Sequence, residues 1–65
     1  MTCIDEYLKN KAKELAKDYH LLDEEDGVFV SEIFRVAKQE SDKMGETIVS
    51  HLYDILEEND IDIYE

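Results

Sequence analysis

The sequence predicts an all-α fold, a small three-helix bundle with a short acidic C-terminal arm. Three observations predict it: the chain has no proline, it has only two glycines, and its apolar residues recur at spacings of three and four. Sixty-five residues make one domain at most, and a chain of this size buries only roughly 60% of the surface that its unfolded form exposes. We therefore expect a single helical domain over residues 1–65 with a marginal core.

The first predicted helix covers about residues 3–19. Thr2 is placed to cap its N-terminus, with Asp5 at the third helical position. An amphipathic stripe runs along one face, with Tyr7 and Ala16 beside it. The residues of this stripe are Ile4, Leu8, Ala12, Leu15 and Tyr19.

Residues 20–27, with the sequence HLLDEEDG, interrupt this pattern and predict an acidic loop. Leu21 and Leu22 are expected to tuck the loop under the core. Helix, acidic loop and helix resemble an EF-hand in outline, with Gly27 at position 6 of a calcium loop. Positions 1 and 12 would then be Leu22 and Ile33, so two of the required oxygen ligands are missing. We expect a loop that turns the chain and caps a helix.

The second predicted helix covers about residues 28–44. Its start is open between two alternatives, because the segment VFV has strand propensity and Ser31 could be a later N-cap. Gly45 fits the position directly after the helix, where a left-handed backbone is common. The predicted buried face consists of Val30, Ile33, Phe34, Ala37 and Met44.

The third predicted helix covers about residues 46–58 and carries two apolar rows. Ile48, Leu52 and Ile55 form the first row, and Val49, Tyr53 and Leu56 form the second. Two rows exceed what one small three-helix core requires, so we expect apolar surface to remain for a partner. The tail, residues 59–65, alternates apolar and acidic residues, which fits either a short edge strand beside residues 28–30 or an ordered arm.

The charge is strongly unbalanced, because 18 acids face seven bases and give a net charge of −11. Residues 20–26 contribute −4 and residues 46–65 contribute −7, while the other segments sum to zero. This acidity disfavours direct contact with nucleic acid or an anionic membrane. A basic protein surface is the expected partner.

The chain lacks the residues that several other classes of function need. Cys3 is the only cysteine, which excludes a disulfide within the chain and, with no signal-peptide pattern, predicts a reducing, cytoplasmic setting. The apolar runs are too short for a membrane span. His51 and Asp54 stand three residues apart, but the chain lacks the spaced pairs that zinc favours. No nucleophile and base occur at a known spacing, so we expect no enzyme activity, metal or cofactor.

The acidic segments predict a protein that imitates nucleic acid. Four helical residues rise ~6 Å, which approaches the spacing of phosphates along one strand, and Asp54 and Glu58 are separated by four. Tyr53 and Tyr64 are predicted as aromatic anchors of a binding surface. Glu46, Asp54, Glu57, Glu58, Asp60 and Asp62 would stand in for phosphates, and Asp23, Glu24, Glu25 and Asp26 would form a second patch.

In size and charge the chain is similar to phage-encoded inhibitors that act as DNA mimics, among them anti-restriction, anti-CRISPR and uracil-DNA-glycosylase inhibitors. The resemblance includes no shared motif, so no residue roles follow from it. It implies an inhibitor of a host or defence protein that occupies a basic, nucleic-acid-binding surface. The alternative is a homodimeric helical interaction module, assembled through helix 3, whose acidity serves solubility.

Overall fold

The computed structural model describes residues 4–40 and 43–65, and it is mostly helical. The predicted small helical bundle is confirmed, whereas Thr2 and Cys3 lie outside the described residues. A 3₁₀ helix at Leu21–Asp23 lies between the first helix and the first strand. The main elements in chain order are α1 (Ile4–Asp18), β1 (Val28–Phe29), α2 (Val30–Glu40), α3 (Gly45–Glu58) and β2 (Ile63–Tyr64).

Helix α3 is the centre of the bundle, because it packs against both α1 and α2 while these two helices touch each other little. The apolar residues of α3 are therefore shared between two neighbouring helices. Leu52 and Leu56 are completely buried, and only Tyr53 of the two rows remains partly exposed. The expectation of surplus apolar surface on helix 3 is wrong, and a homodimer through this helix has no support from that surplus.

The core is apolar throughout, since no polar or charged side chain of the described residues is buried. Three residues of the predicted stripes are exposed instead: Ile4 at 62%, Tyr19 at 37% and Phe34 at 37%. Val36, which is not part of the predicted buried face of the second helix, is fully buried. The core residues are Leu8, Ala12, Leu15, Ala16, Leu21, Val28, Ile33, Val36, Ala37, Ile48, Val49, Leu52, Ile55 and Leu56.

The second helix is shorter than predicted at both ends. It begins at Val30 because Val28 and Phe29 form a strand, as their β propensity allows. Residues 41–42 of the predicted range 28–44 lie outside the described residues, and the segment 43–44 is a turn. Gly45 does not follow the helix in a left-handed conformation; it is the buried first residue of α3, close to Lys38 of α2.

The tail returns to the bundle as a strand, so of its two predicted forms the strand is the one found. β2 pairs in parallel with β1, with Val28 opposite Ile63 and Phe29 opposite Tyr64. The backbone N–H of Val28 donates to the carbonyl oxygen of Asp62 at 2.8 Å. Parallel strands need a long crossover, which α2 and α3 supply here.

Gly27 makes this pairing possible. Its φ is +105°, a conformation that side chains rarely adopt. A Cβ at this position would lie 2.4 Å from Cε2 of Tyr64 and 2.8 Å from the carbonyl oxygen of Asp62. Only a residue without a side chain lets the tail approach so closely.

No helix within residues 4–40 and 43–65 combines the length and the apolar character needed to cross a lipid bilayer.

Replacing Gly27 with alanine should release the tail, because the new methyl group overlaps both Tyr64 and the backbone of Asp62. We expect a loss of at least ~1 kcal/mol of unfolding free energy and loss of the NMR contacts between Val28 and Ile63. Gly45→Ala is the matched control, since its methyl group meets mainly the flexible side chain of Lys38. If the NMR contacts between Val28 and Ile63 remained in Gly27→Ala, the proposed need for glycine at this turn would be contradicted.

Leu52→Ala should destabilise the fold by ~2–5 kcal/mol, because it leaves a cavity between α3 and its neighbours. In a 65-residue chain such a loss is a large part of the total stability. Leu22→Ala makes the same chemical change at a side chain that is 38% exposed, and should cost much less. Chemical denaturation of both variants measures the difference, and equal losses would refute the central position of α3.

Candidate partner-binding site

The structure brings the acidic loop and the C-terminal part of the other predicted patch to one end of the molecule. Asp23 and Glu58 line the same groove, which joins the loop after α1 to the end of α3 and is also lined by lysines 13 and 17 of α1. Asp62 lies against Gly27 and Val28, directly after the acidic loop. All members are exposed, and we call this group the acidic end. It consists of Asp23, Glu24, Glu25, Asp26, Glu57, Glu58, Asp60 and Asp62.

Asp60 reverses the chain between α3 and the tail. It has a left-handed φ of 58°, which is unusual for a residue with a side chain. Its N–H donates to the carbonyl oxygen of Glu57 at 3.1 Å, and the N–H of Ile61 donates to that of Leu56 at 2.9 Å. These two bonds form a Schellman motif, the usual end of a helix, in which glycine normally occupies the place of Asp60.

The carboxylates at the end of α3 stand where a helix favours positive charge. The last turn contains Glu57 and Glu58 and no basic residue, and Asp60 follows directly. Unpaired carbonyl groups give a helix C-terminus a partial negative charge, so each exposed carboxylate there costs a few tenths of a kcal/mol. In the described part of the chain none of these three acids is ion-paired within 4 Å.

A groove of about 480 Å³ runs along the surface between α1 and α3, and both acidic and basic side chains line it. Asp54, Glu57 and Glu58 line it from α3, while Lys9 and Lys13 line it from α1. The two lysines moderate the negative potential on this side of the acidic end. This neighbourhood of lysines and acids was not predicted, because the charges of α1 balance among themselves along the chain.

Glu46 lies apart from the other predicted phosphate mimics. It is exposed in the first turn of α3, twelve residues or ~18 Å along the helix from Glu58. It suits the positive N-terminal end of the helix, so its position has an ordinary structural explanation. Of the predicted row on α3, only the C-terminal part belongs to the acidic end.

His51 pairs across the bundle with α1. Its Nε2 lies 3.2 Å from Oδ1 of Asp5, and its side chain is only 15% exposed. The other histidine, His20, has its Nδ1 3.1 Å from Oδ2 of Asp23 within the loop. Over residues 4–40 and 43–65, no three His, Cys, Asp or Glu side chains are arranged to hold a metal ion.

The two predicted tyrosine anchors have different surroundings. Tyr53 is partly buried and packs against the core, so much of its ring is already occupied within the monomer. Tyr64 is 44% exposed and its ring lies 5.9 Å from that of Phe29, at an angle of 51°. Tyr64 is therefore the better placed of the two to meet a partner.

A second surface, beside β1, was not predicted as a site. Leu21 and Val28 form its apolar base, and the rings of Tyr19 and Phe29 lie around them. Its charged members are Glu24, Asp26 and Glu32. Nothing in the sequence indicated that Tyr19, directly after α1, would be a neighbour of Phe29.

Comparisons with known proteins found no match among protein-family models, among curated proteins or among solved structures.

Asp60→Gly should stabilise the protein by up to ~1 kcal/mol, because glycine adopts the left-handed conformation without strain. Asp60→Asn is the matched control: it removes the same charge, keeps a Cβ, and should gain only a few tenths of a kcal/mol. Thermal or chemical denaturation of the three proteins measures both effects. A glycine variant no more stable than the asparagine variant would show that Asp60 stores no backbone strain.

Proposed function

We propose that this chain is a small acidic inhibitor that binds a basic, nucleic-acid-binding surface of a target protein by imitating phosphates. The observation that carries the proposal is the acidic end, where acids distant in sequence meet on one exposed surface. Such a surface complements a groove lined by lysine and arginine, which normally holds DNA or RNA. An anti-defence or host-takeover inhibitor of the phage type is the biological role that this proposal implies.

The placement of these acids favours binding over mere solubility. Charges that only keep a protein soluble can stand anywhere on its surface. Glu57, Glu58 and Asp60 instead stand at the helix end where they oppose the helix dipole, and Asp60 also adopts a strained backbone. A partner that brings positive charge would relieve both this repulsion and that of the neighbouring loop.

The negatively charged surface is also limited in extent, as expected for a specific binding site. Lys9 and Lys13 limit the negative region on the α1 side of the groove. On the other side the acidic end continues through Asp62 to the aromatic side chains of β1 and β2. We propose that the partner contacts the acidic end and these rings, and leaves the α1 face uncovered.

The test is affinity capture from a bacterial lysate with three baits. The native chain is compared with one variant that neutralises five acids around the acidic end and one that neutralises five acids elsewhere, so both variants carry the same net charge. The first has Asp54→Asn, Glu57→Gln, Glu58→Gln, Asp60→Asn and Asp62→Asn. The second has Asp5→Asn, Glu6→Gln, Glu14→Gln, Asp18→Asn and Glu46→Gln, none of which belongs to the acidic end or to the surface beside β1. Circular dichroism checks that each bait is folded.

We expect the native and second baits to capture a nucleic-acid-binding protein, and the first bait to lose it. Duplex DNA or RNA should release the captured protein, because the nucleic acid competes for the same surface. Salt should also release it between roughly 0.1 M and 0.5 M, since contacts between exposed charges are screened over this range. Equal capture by all three baits, or a captured protein that neither DNA nor RNA releases, would refute the proposed mimicry.

A further inference from the structure

We propose that the pocket beside β1 binds the guanidinium group of an arginine that a partner protein presents. The pocket has a volume of about 320 Å³, at the lower end of the roughly 300–1,000 Å³ of ligand pockets. Its size suits one long side chain rather than a large ligand. Leu21 and Val28 at its base are 1% and 3% exposed, so its base belongs to the core.

Aromatic rings form part of the pocket wall. Tyr19 is 37% exposed and Phe29 is 59% exposed, although both stand beside the core residues of the base. Tyr64 packs against Phe29 and extends the aromatic surface outwards. Exposed rings gathered at one place mark a binding surface more often than single exposed apolar residues do. A planar cation can stack on such rings.

The charged lining residues of this pocket are all acids: Glu24, Asp26 and Glu32. The groove between α1 and α3 and the groove at the end of α3 each contain lysines as well. Glu32 already pairs with Arg35 on α2, which leaves the two loop carboxylates for a partner. A guanidinium group donates two parallel hydrogen bonds to a carboxylate, so acids next to rings match its chemistry.

Other occupants match less of the pocket. An apolar side chain would leave the carboxylates without a partner, and a nucleic acid or phosphate would be repelled by them. A lysine ammonium would satisfy the charge, but it lacks the plane that stacks on rings and the two-pronged geometry that fits a carboxylate. Arginine alone among the side chains offers a charge, a plane and paired donors.

The identity of the partner rests on the proposed function, because a nucleic-acid-binding surface is rich in arginine. Glu24 and Asp26 belong both to this pocket and to the acidic end, so one basic surface can cover the two together. The chemistry of the pocket does not depend on that function. It can therefore be tested with a small probe.

The experiment titrates the full chain with N-acetyl-arginine amide and follows chemical shifts by NMR. The lysine and citrulline amides are the comparison probes, because citrulline has almost the shape of arginine without its charge. We expect saturable shifts at Tyr19, Val28 and Phe29 with the arginine probe, weaker ones with lysine and none with citrulline. Unsaturable shifts, shifts spread over all the acids, or equal effects of citrulline would overturn the proposal.

Two pairs of variants localise the binding. Phe29→Ala should weaken arginine binding about two- to fivefold, whereas Phe34→Ala, an exposed ring outside the pocket, should not. Glu24→Gln with Asp26→Asn should weaken it further, whereas Glu6→Gln with Glu14→Gln, which removes the same charge from the exposed face of α1, should leave it within twofold. Equal effects within either pair would overturn the assignment of the pocket.

The outcome of the arginine titration is independent of the outcome of the capture experiment. Saturable arginine binding without a target that DNA or RNA releases would keep the pocket and reject nucleic-acid mimicry. A target released by DNA or RNA, with no arginine binding at β1, would keep the mimicry and reject the pocket.

Discussion

The fold depends on one helix being buried from two sides. A 65-residue chain has little apolar surface to spare, and α3 provides most of the shared interface by packing against both α1 and α2. A helix in this position needs a wide apolar stripe, which explains the two rows of leucine, isoleucine and valine. The same burial leaves only a limited arc of α3 to solvent, and its acids must stand on that arc or at its end.

The acidic end follows from this packing and from the way the chain leaves α3. The Schellman motif at Asp60 turns the tail back towards β1, which brings Asp62 beside the acidic loop. Charges that are far apart in sequence thereby become neighbours, and their repulsion opposes the contacts that hold them together. The stability of the fold and the charge of the proposed binding surface are therefore in conflict, and a basic partner would relieve that conflict.

The pairing of β1 with β2 links the aromatic pocket to the acidic end. Gly27 lets Tyr64 lie close to the loop, and the parallel register sets Tyr64 opposite Phe29. The pocket also needs Tyr19 from the segment just after α1. A change at the glycine would thus affect both surfaces at once, although Gly27 itself carries no functional group.

The sequence by itself determined the helical class, the approximate ranges of the helices and the two segments that hold all the net charge, because these follow from local periodicity and composition. It also showed that Val28 and Phe29 favour a strand, but it could not decide for one, since a strand needs a partner and the partner is 35 residues away. Only the tertiary structure decided that both rows of α3 are buried, that Lys9 and Lys13 face its acids, and that the acidic loop and the tail meet. The physical reason is that burial, charge pairing and strand pairing depend on distances in space between residues that are far apart along the chain.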